Sequence, residues 1–358
     1  MDAGYLRDEY AQFFVHPAQA QRRAPIINRG TCARISAVRL VIRRFLDMAP
    51  AAAPGAAAAA LSRQVLVLGA GFDTAAFQLQ QEGALAGVGW FELDFPDIVQ
   101  QKSRIIAKTP ALTASLCGSA AADRLTVDAA TQELTASAGR DAADEGGVSR
   151  GQYSLLAADL SELDRVKDSL SKAGFDPTLP TLVVSECVLI YMEPEHSDAL
   201  IEWVGTTCPR AAFVVYEQIL PGDRFGQMMV RNIASRGCPL KSIAKYPALE
   251  DMCERFRARG WGGCVVGKDM DVVYRKVLDG DEKMRTERLE MFDEFEEWRL
   301  LMQHYCLLYA ATTSVDDTGQ GAAVSMVAVD QRGPGAGVAD GEQQRCWLEV
   351  MGDPIAQA

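Results

Sequence analysis

Residues 64–74, QVLVLGAGFDT, constrain this chain more than any other stretch. Gln64 to Leu68 is a short apolar run dominated by Val and Leu, which reads as a buried strand. Gly69-Ala70-Gly71 then makes a tight turn, and a helical pattern begins at Thr74. A glycine turn between strand and helix lets a ligand approach bare backbone near the positive end of the helix. An ordinary strand-to-helix turn has the same sequence, so the motif needs company. A full dinucleotide fingerprint wants a third glycine where this chain has Thr74. That lowers the nicotinamide and flavin readings and leaves other nucleoside-containing cofactors open.

Alternating strand and helix patterns continue through the chain, so the fold class is α/β, with a mostly parallel sheet covered on both faces by helices. Strand patterns follow at Gly89–Asp94, Arg124–Val127, Tyr153–Leu160, Leu179–Glu186, Ala211–Tyr216, Gly263–Val266 and Ala322–Val329. Helical patterns fall at about 161–173, after Pro194, at Leu249–Arg259 and, as one long amphipathic helix, from Lys283 to Ala310. Residues 1–48 are expected to form a helical cap over the site, and 49–329 the main domain. Within it, 131–152 reads as a flexible insertion and 218–245 as a lid-like one. The Gly-, Asp- and Gln-rich residues 330–358 read as a disordered tail.

Three of these strands end on an acid: Asp94, Asp159 and Glu186. Asp94 lies 23 residues after Gly71, close to the roughly 20-residue step at which such folds present a carboxylate to ribose hydroxyls. Ligands of open α/β sheets bind at the carboxyl ends of strands, so the three acids should face the glycine turn. Together they suit hydroxyls, an amine and a cationic centre. Residues 10–46 add seven Arg and no acid. These form either a solvated basic face or, through one or two guanidinium forks, a grip on a carboxylate.

Composition removes several function classes. Lys and Arg number 36 against 48 Asp and Glu, a formal charge of −12, which disfavours nucleic-acid binding. No run approaches the roughly 20 apolar residues of a membrane span, and no secretory signal opens the chain. Nine dispersed cysteines without a CxxC pair read as free thiols in a reducing compartment, so a cytoplasmic location is expected. Three histidines without ligand spacing give no metal site.

The motifs Ala24-Pro-Ile-Ile-Asn-Arg29-Gly30, Ala33-Arg34, Leu68-Gly-Ala-Gly-Phe-Asp73-Thr, Phe91-Glu-Leu-Asp94-Phe-Pro, Ala158-Asp159-Leu160, Ser185-Glu186-Cys-Val-Leu-Ile-Tyr191 and Tyr216-Glu-Gln218 resemble those of leucine carboxyl methyltransferases. So do Gly222-Asp-Arg-Phe-Gly-Gln227 and His304-Tyr-Cys306, and the similarity runs from about Gly4 to Val329. The resemblance implies a Rossmann-like S-adenosylmethionine-dependent methyltransferase fold, seven-stranded with one antiparallel strand and helical additions over the substrate mouth. It also implies methyl esterification of the carboxyl-terminal leucine of the type 2A protein phosphatase catalytic subunit, by a monomer.

Carried onto this sequence, the resemblance implies that Arg34 holds the cofactor carboxylate and that Gly69, with Gly71 beside it, meets the cofactor through backbone. Asp94 would take the ribose, Asp159 and Leu160 the adenine edge, and Glu186 the methionyl part. Apart from the resemblance, Arg34 or another arginine of the amino-terminal segment is expected to line the acceptor pocket with Tyr191. Relatives carry a longer arm before Gly4-Tyr5, which adds a lysine to the same carboxylate; only three residues precede Gly4 here. A related branch that modifies a transfer-RNA base carries an appended propeller of repeats, for which this sequence shows no pattern. The other readings are an O-methyltransferase of the same superfamily acting on a small-molecule carboxylate or hydroxyl, and a non-catalytic scaffold that kept the fold.

Overall fold

The computed structural model describes residues 4–15, 23–48, 61–117, 124–137 and 151–312. Among them, nine strands form one sheet: β1 (Arg63–Leu68), β2 (Val88–Asp94), β3 (Leu125–Val127), β4 (Leu134–Ser137), β5 (Gln152–Ala157), β6 (Thr181–Glu186), β7 (Ala211–Gln218), β8 (Cys264–Asp269) and β9 (Tyr305–Ala311), in spatial order β3-β4-β5-β2-β1-β6-β7-β9-β8. The helices are α1 (Pro25–Asp47), α2 (Ala75–Gln81), α3 (Pro96–Lys108), α4 (Pro110–Cys117), α5 (Leu163–Lys172), α6 (Pro194–Thr207), α7 (Arg224–Ala234), α8 (Leu249–Arg257), α9 (Met270–Lys276), α10 (Gly280–Glu287) and α11 (Phe295–Gln303).

From β5 to β7 the neighbours pair in parallel, and β9 then inserts antiparallel to both β7 and β8. These seven strands, with one reversed, are the arrangement the resemblance implies. The short β3–β4 hairpin adds two antiparallel strands beside β5, so the segment read as a third strand lies at the sheet's edge and outside the parallel set.

Strand side chains alternate between two cores. Val65 and Val67 of β1 pack with α1, α2 and α9, whereas Leu66 and Leu68 pack with α5, α6 and α8. Central strands buried on both faces explain why their sequences read as unbroken apolar runs. That is also why β9 escapes notice in sequence. Tyr305–Ala311 is YCLLYAA, buried from Cys306 onward, and such a run carries no periodicity that separates strand from helix. The long helix expected from Lys283 to Ala310 is instead α10, a connecting loop, α11 and then β9. The strand expected at Ala322–Val329 lies outside the described residues, as do 138–150 of the expected insertion and the tail.

α1 begins with Pro25 in its first turn, where no intrahelical donor is lost. At its other end the guanidinium of Arg63 donates to the carbonyls of Phe45, Leu46 and Met48 at 2.5–2.9 Å. Those carbonyls have no helical partner of their own, so the contact ties α1 to the first strand. Below the glycine turn, fully buried Lys102 of α3 pairs with Glu92 of β2 at 2.6 Å and donates to the carbonyl of Asp73 at 2.9 Å. Trp90 Nε1 and the Tyr153 hydroxyl donate to the same carboxylate.

Removing one partner of a buried pair strands the other charge, at a cost of about 3–5 kcal/mol. Lys102→Met should therefore lower stability by about that amount in urea denaturation, and Glu92→Gln added to it should recover part of the loss.

Candidate active site at the carboxyl ends of the central strands

Register sets the strand tips side by side: Leu68 pairs with Leu93 and Ser185, Asp94 with Ala157, and Glu186 with Tyr216. The sheet thus gathers the glycine turn and the ends of β2, β5, β6 and β7 around one opening. Asp94 accepts from the Gly71 N–H at 2.6 Å and from the Phe95 N–H at 2.7 Å. The Ala158 N–H donates to the Asp94 carbonyl at 2.9 Å, which brings Asp159 and buried Leu160 beside that tip. Asp159 is itself oriented by the N–H and hydroxyl of Ser161 at 2.9 and 2.7 Å.

Gly69 and Gly71 have φ of +61° and +50°, in the left-handed region. A Cβ on Gly69 would sit 2.6 Å from Val188, so the turn after β6 presses directly on the glycine turn. Over Gly71 a Cβ would meet nothing within 4 Å, which leaves backbone open to a ligand. Asp73 caps α2 by accepting from Thr74 and Ala75 N–H.

α1 supplies the cation. Its arginines separate by role: Arg29 lies over the Phe292 ring, Arg39 meets Asp73 and Gln78, and Arg43 forks onto Glu82. Arg34 points at the strand tips, with Nε 3.4 Å from Glu186 Oε2 in a charge contact outside hydrogen-bond geometry, and with its guanidinium 6.0 Å over Tyr216. Glu186 keeps 28% of its side chain accessible through the opening, yet protein surrounds it. Burial pushes its pKa up to about 7, while Arg34 pulls it down and Asp73 raises it.

The far wall is aromatic. Tyr216 stacks on Tyr305 of β9, with centroids 5.3 Å apart. Tyr191 stands in a single 3₁₀ turn, Leu189–Tyr191, and burial lifts its hydroxyl to about 12, so it stays a proton donor. Burial raises Tyr305 as well, and the neighbouring Gln218 side chain offsets only part of the rise at both hydroxyls. α7 closes this side, with Phe225, Val230 and Ile233 packed on Ile190 and Tyr191. Two motifs noted in sequence meet here: buried His304 lies 3.0 Å through Nε2 from Asp223, which caps α7 by accepting from Gly226 N–H.

Register and contacts thus bring Gly69, Gly71, Asp94, Asp159, Leu160, Glu186, Arg34 and Tyr191 to the same end of the sheet. Tyr216, Gln218 and Tyr305 join them without having been singled out by residue type. The Tyr216-Glu-Gln218 and His304-Tyr-Cys306 motifs contain all three, but the second lies in the stretch expected as one long helix, so the place of Tyr305 beside Tyr216 was not legible. Among the described residues no group of three metal-ligating side chains occurs, and no helix is long and apolar enough to cross a membrane.

A doubly wound sheet with one reversed strand, a left-handed glycine turn and carboxylates at the neighbouring tips defines a Rossmann-like fold of the methyltransferase type. Sequence comparison narrows the class. The leucine carboxyl methyltransferase family model matches residues 2–205. A leucine carboxyl methyltransferase 1 homolog of Arabidopsis thaliana is 38% identical over 312 residues, covering 87% of this chain and 84% of that protein. Leucine carboxyl methyltransferase 1 of Bos taurus is 35% identical over 307 residues, 86% and 83% of the two chains. The human tRNA wybutosine-synthesizing protein 4 is 40% identical over 308 residues, 86% of this chain but 41% of that protein. The chain belongs to the leucine carboxyl methyltransferase family, and it is a methyltransferase.

Forcing a Cβ into the left-handed region costs about 1–2 kcal/mol, before the clash with Val188 is added. Gly69→Ala should therefore lose at least about 1 kcal/mol of stability by chemical denaturation. Gly71→Ala, with open space around it, should lose less.

Proposed function

We propose that this enzyme uses S-adenosylmethionine to methyl-esterify the α-carboxylate of the carboxyl-terminal leucine of the type 2A protein phosphatase catalytic subunit. The observation that carries this reading is the placement of Arg34 and Glu186 together between an open glycine turn and a wall of tyrosines. The cofactor fits the residues present. Gly71 offers uncovered backbone, Asp94 has lone pairs left after two N–H contacts, and Glu186 supplies an anion for an amine or sulfonium. In this reading Gly69 and Gly71 approach it through backbone, Asp94 takes the ribose hydroxyls, Asp159 and Leu160 border the adenine, and Glu186 and Arg34 bind its amine and carboxylate ends. When bound, S-adenosylmethionine supplies an electrophilic methyl group.

The chain's own residues have a limited task. A chain-terminal carboxylate has a pKa of about 3.3–3.7 and is ionised without help, so no general base is needed. Arg34 and the Tyr191 hydroxyl orient the acceptor oxygen, and the tyrosine wall with α7 keeps water from it. Rate then comes from alignment and from stripping water off the nucleophile. The 40% identity to the human tRNA wybutosine-synthesizing protein 4 favours a second reading, methyl transfer to a tRNA base. The formal charge of −12 opposes it, since phosphate contacts need basic surface.

Incubation with methyl-labelled cofactor separates the two. A base-labile label should enter a phosphatase catalytic subunit with its last leucine intact, and neither a subunit lacking that leucine nor tRNA. Label in tRNA alone would overturn the proposal. Arg34→Ala should sharply weaken S-adenosylmethionine binding in calorimetry; unchanged affinity would remove that assignment.

Glu186 must be ionised to hold a cation. Its pKa of about 7 in the free enzyme means that affinity is full above that value and declines as pH falls through it. The decline should approach about tenfold per pH unit at lower pH, and Glu186→Gln should flatten it.

A further inference from the structure

Glu217 is a fully buried carboxylate to which the proposed chemistry gives no task. It sits one residue before the end of β7, beneath the turn that joins Glu186 to Tyr191. The Ile190 N–H donates to its Oε1 at 2.9 Å, and the N–H groups of Val188 and Leu189 also face the carboxylate. Its second oxygen is buried outside hydrogen-bond geometry with any donor. Burial pushes the group up to about 7, and Arg255 and the three N–H groups pull it back toward the ionised form.

The turn it touches is under constraint. Cys187 has φ of +54°, a left-handed conformation that a residue with a Cβ adopts only when its surroundings impose it. The Cys187 N–H donates to the Tyr216 carbonyl at 2.8 Å, which fixes the entry to the turn. From the opposite side Ser242, also buried, grips the turn's carbonyls. Its hydroxyl donates to Leu189 and Met192 at 3.2 and 2.8 Å, and its N–H donates to Ile190 at 3.0 Å. The turn is therefore held from below through the Ile190 N–H and from outside through three of its carbonyls. Its two ends carry Glu186, which faces Arg34, and Tyr191, in the aromatic wall; its middle carries Val188, which presses on Gly69.

We propose that Glu217 is the positioning residue of this site: by holding the Ile190 N–H at the centre of the turn after β6, it sets the spacing between Glu186 on the cofactor side and Tyr191 on the acceptor side. The inference rests on the proposed reaction for what the two sides bind. An amide at position 217 keeps one acceptor for Ile190 but sets an NH₂ group against the remaining donors, so the turn shifts while the core stays filled. A displacement on the order of 1 Å at a reacting centre costs about 100-fold in rate.

The test uses the full chain with Glu217→Gln, Glu217→Ala and Ser242→Ala, the last loosening the same turn without touching Glu217. Amide hydrogen exchange at Val188–Ile190 is read in the free enzyme. S-adenosylhomocysteine affinity is read by calorimetry, and kcat and KM with the phosphatase. Exchange at the Ile190 amide should quicken at least about tenfold in each variant. In Glu217→Gln kcat should fall about 10- to 100-fold, with a smaller loss of S-adenosylhomocysteine affinity, and Glu217→Ala should be worse than Glu217→Gln. Should the glutamate variants unfold, the same exchange and kcat pattern in Ser242→Ala supports the proposal and its absence overturns it. Unchanged exchange, or quickened exchange with wild-type kcat, overturns it as well. The exchange readout needs no acceptor. If the wild-type enzyme binds S-adenosylhomocysteine but leaves the phosphatase unmethylated, the substrate reading falls while slow exchange at the turn still stands or falls with Glu217.

Discussion

The 2.6 Å hydrogen bond from the Gly71 N–H to the Asp94 carboxylate closes the tip of β2 onto the turn after β1. Most of the site follows from it. The bond orients a carboxylate toward the space over Gly71, and it requires a backbone N–H that the left-handed glycine conformation aims across the sheet. Beneath it the Glu92–Lys102 pair, with Lys102 also holding the Asp73 carbonyl, keeps the same turn from sinking into the core. Placing an ionic pair there is costly in an apolar interior, and three further hydrogen bonds to the carboxylate and the ammonium offset that cost.

Charge is distributed unevenly around the opening. Of the three acids at the strand tips, Glu186 meets Arg34, carried in by a helix that lies outside the alternating strand–helix pattern. α1 could have remained a surface helix. Instead eight of its residues are buried, and Arg63 satisfies its terminal carbonyls from the first strand. The guanidinium is thus presented by a largely buried helix fixed at its carboxyl end, which suits the carboxylate-orienting role proposed for it.

Much of this could be read from residue order. The glycine turn, the acids at the ends of β2, β5 and β6, and the α/β alternation all express local rules: strand runs, turn chemistry and the position of ligands at strand tips. What local rules could not separate was the role of each arginine on α1. Arg29, Arg34, Arg39 and Arg43 are chemically alike and are sorted only by what packs opposite each one. Tyr305 was illegible for another reason. A strand buried on both faces has the same apolar composition as a buried helix, and the antiparallel insertion of β9 depends on partners nearly a hundred residues upstream. Glu217 stands in the sequence only as the middle of the Tyr216-Glu-Gln218 motif, and its aim was not legible there. Side chains alternate along β7, so the acid that ends the apolar run faces the underside of a neighbouring turn and not the opening.

The central claim is that neighbouring strand tips gather a sulfonium nucleoside beside the anion that accepts its methyl group. A crystal structure of the enzyme with S-adenosylhomocysteine tests it most directly. The account predicts the ribose at Asp94, the backbone of Gly69 and Gly71 beneath the ligand, and its carboxylate against Arg34. Density for the nucleoside anywhere else on the sheet, or a ligand whose carboxylate ignores Arg34, would contradict it.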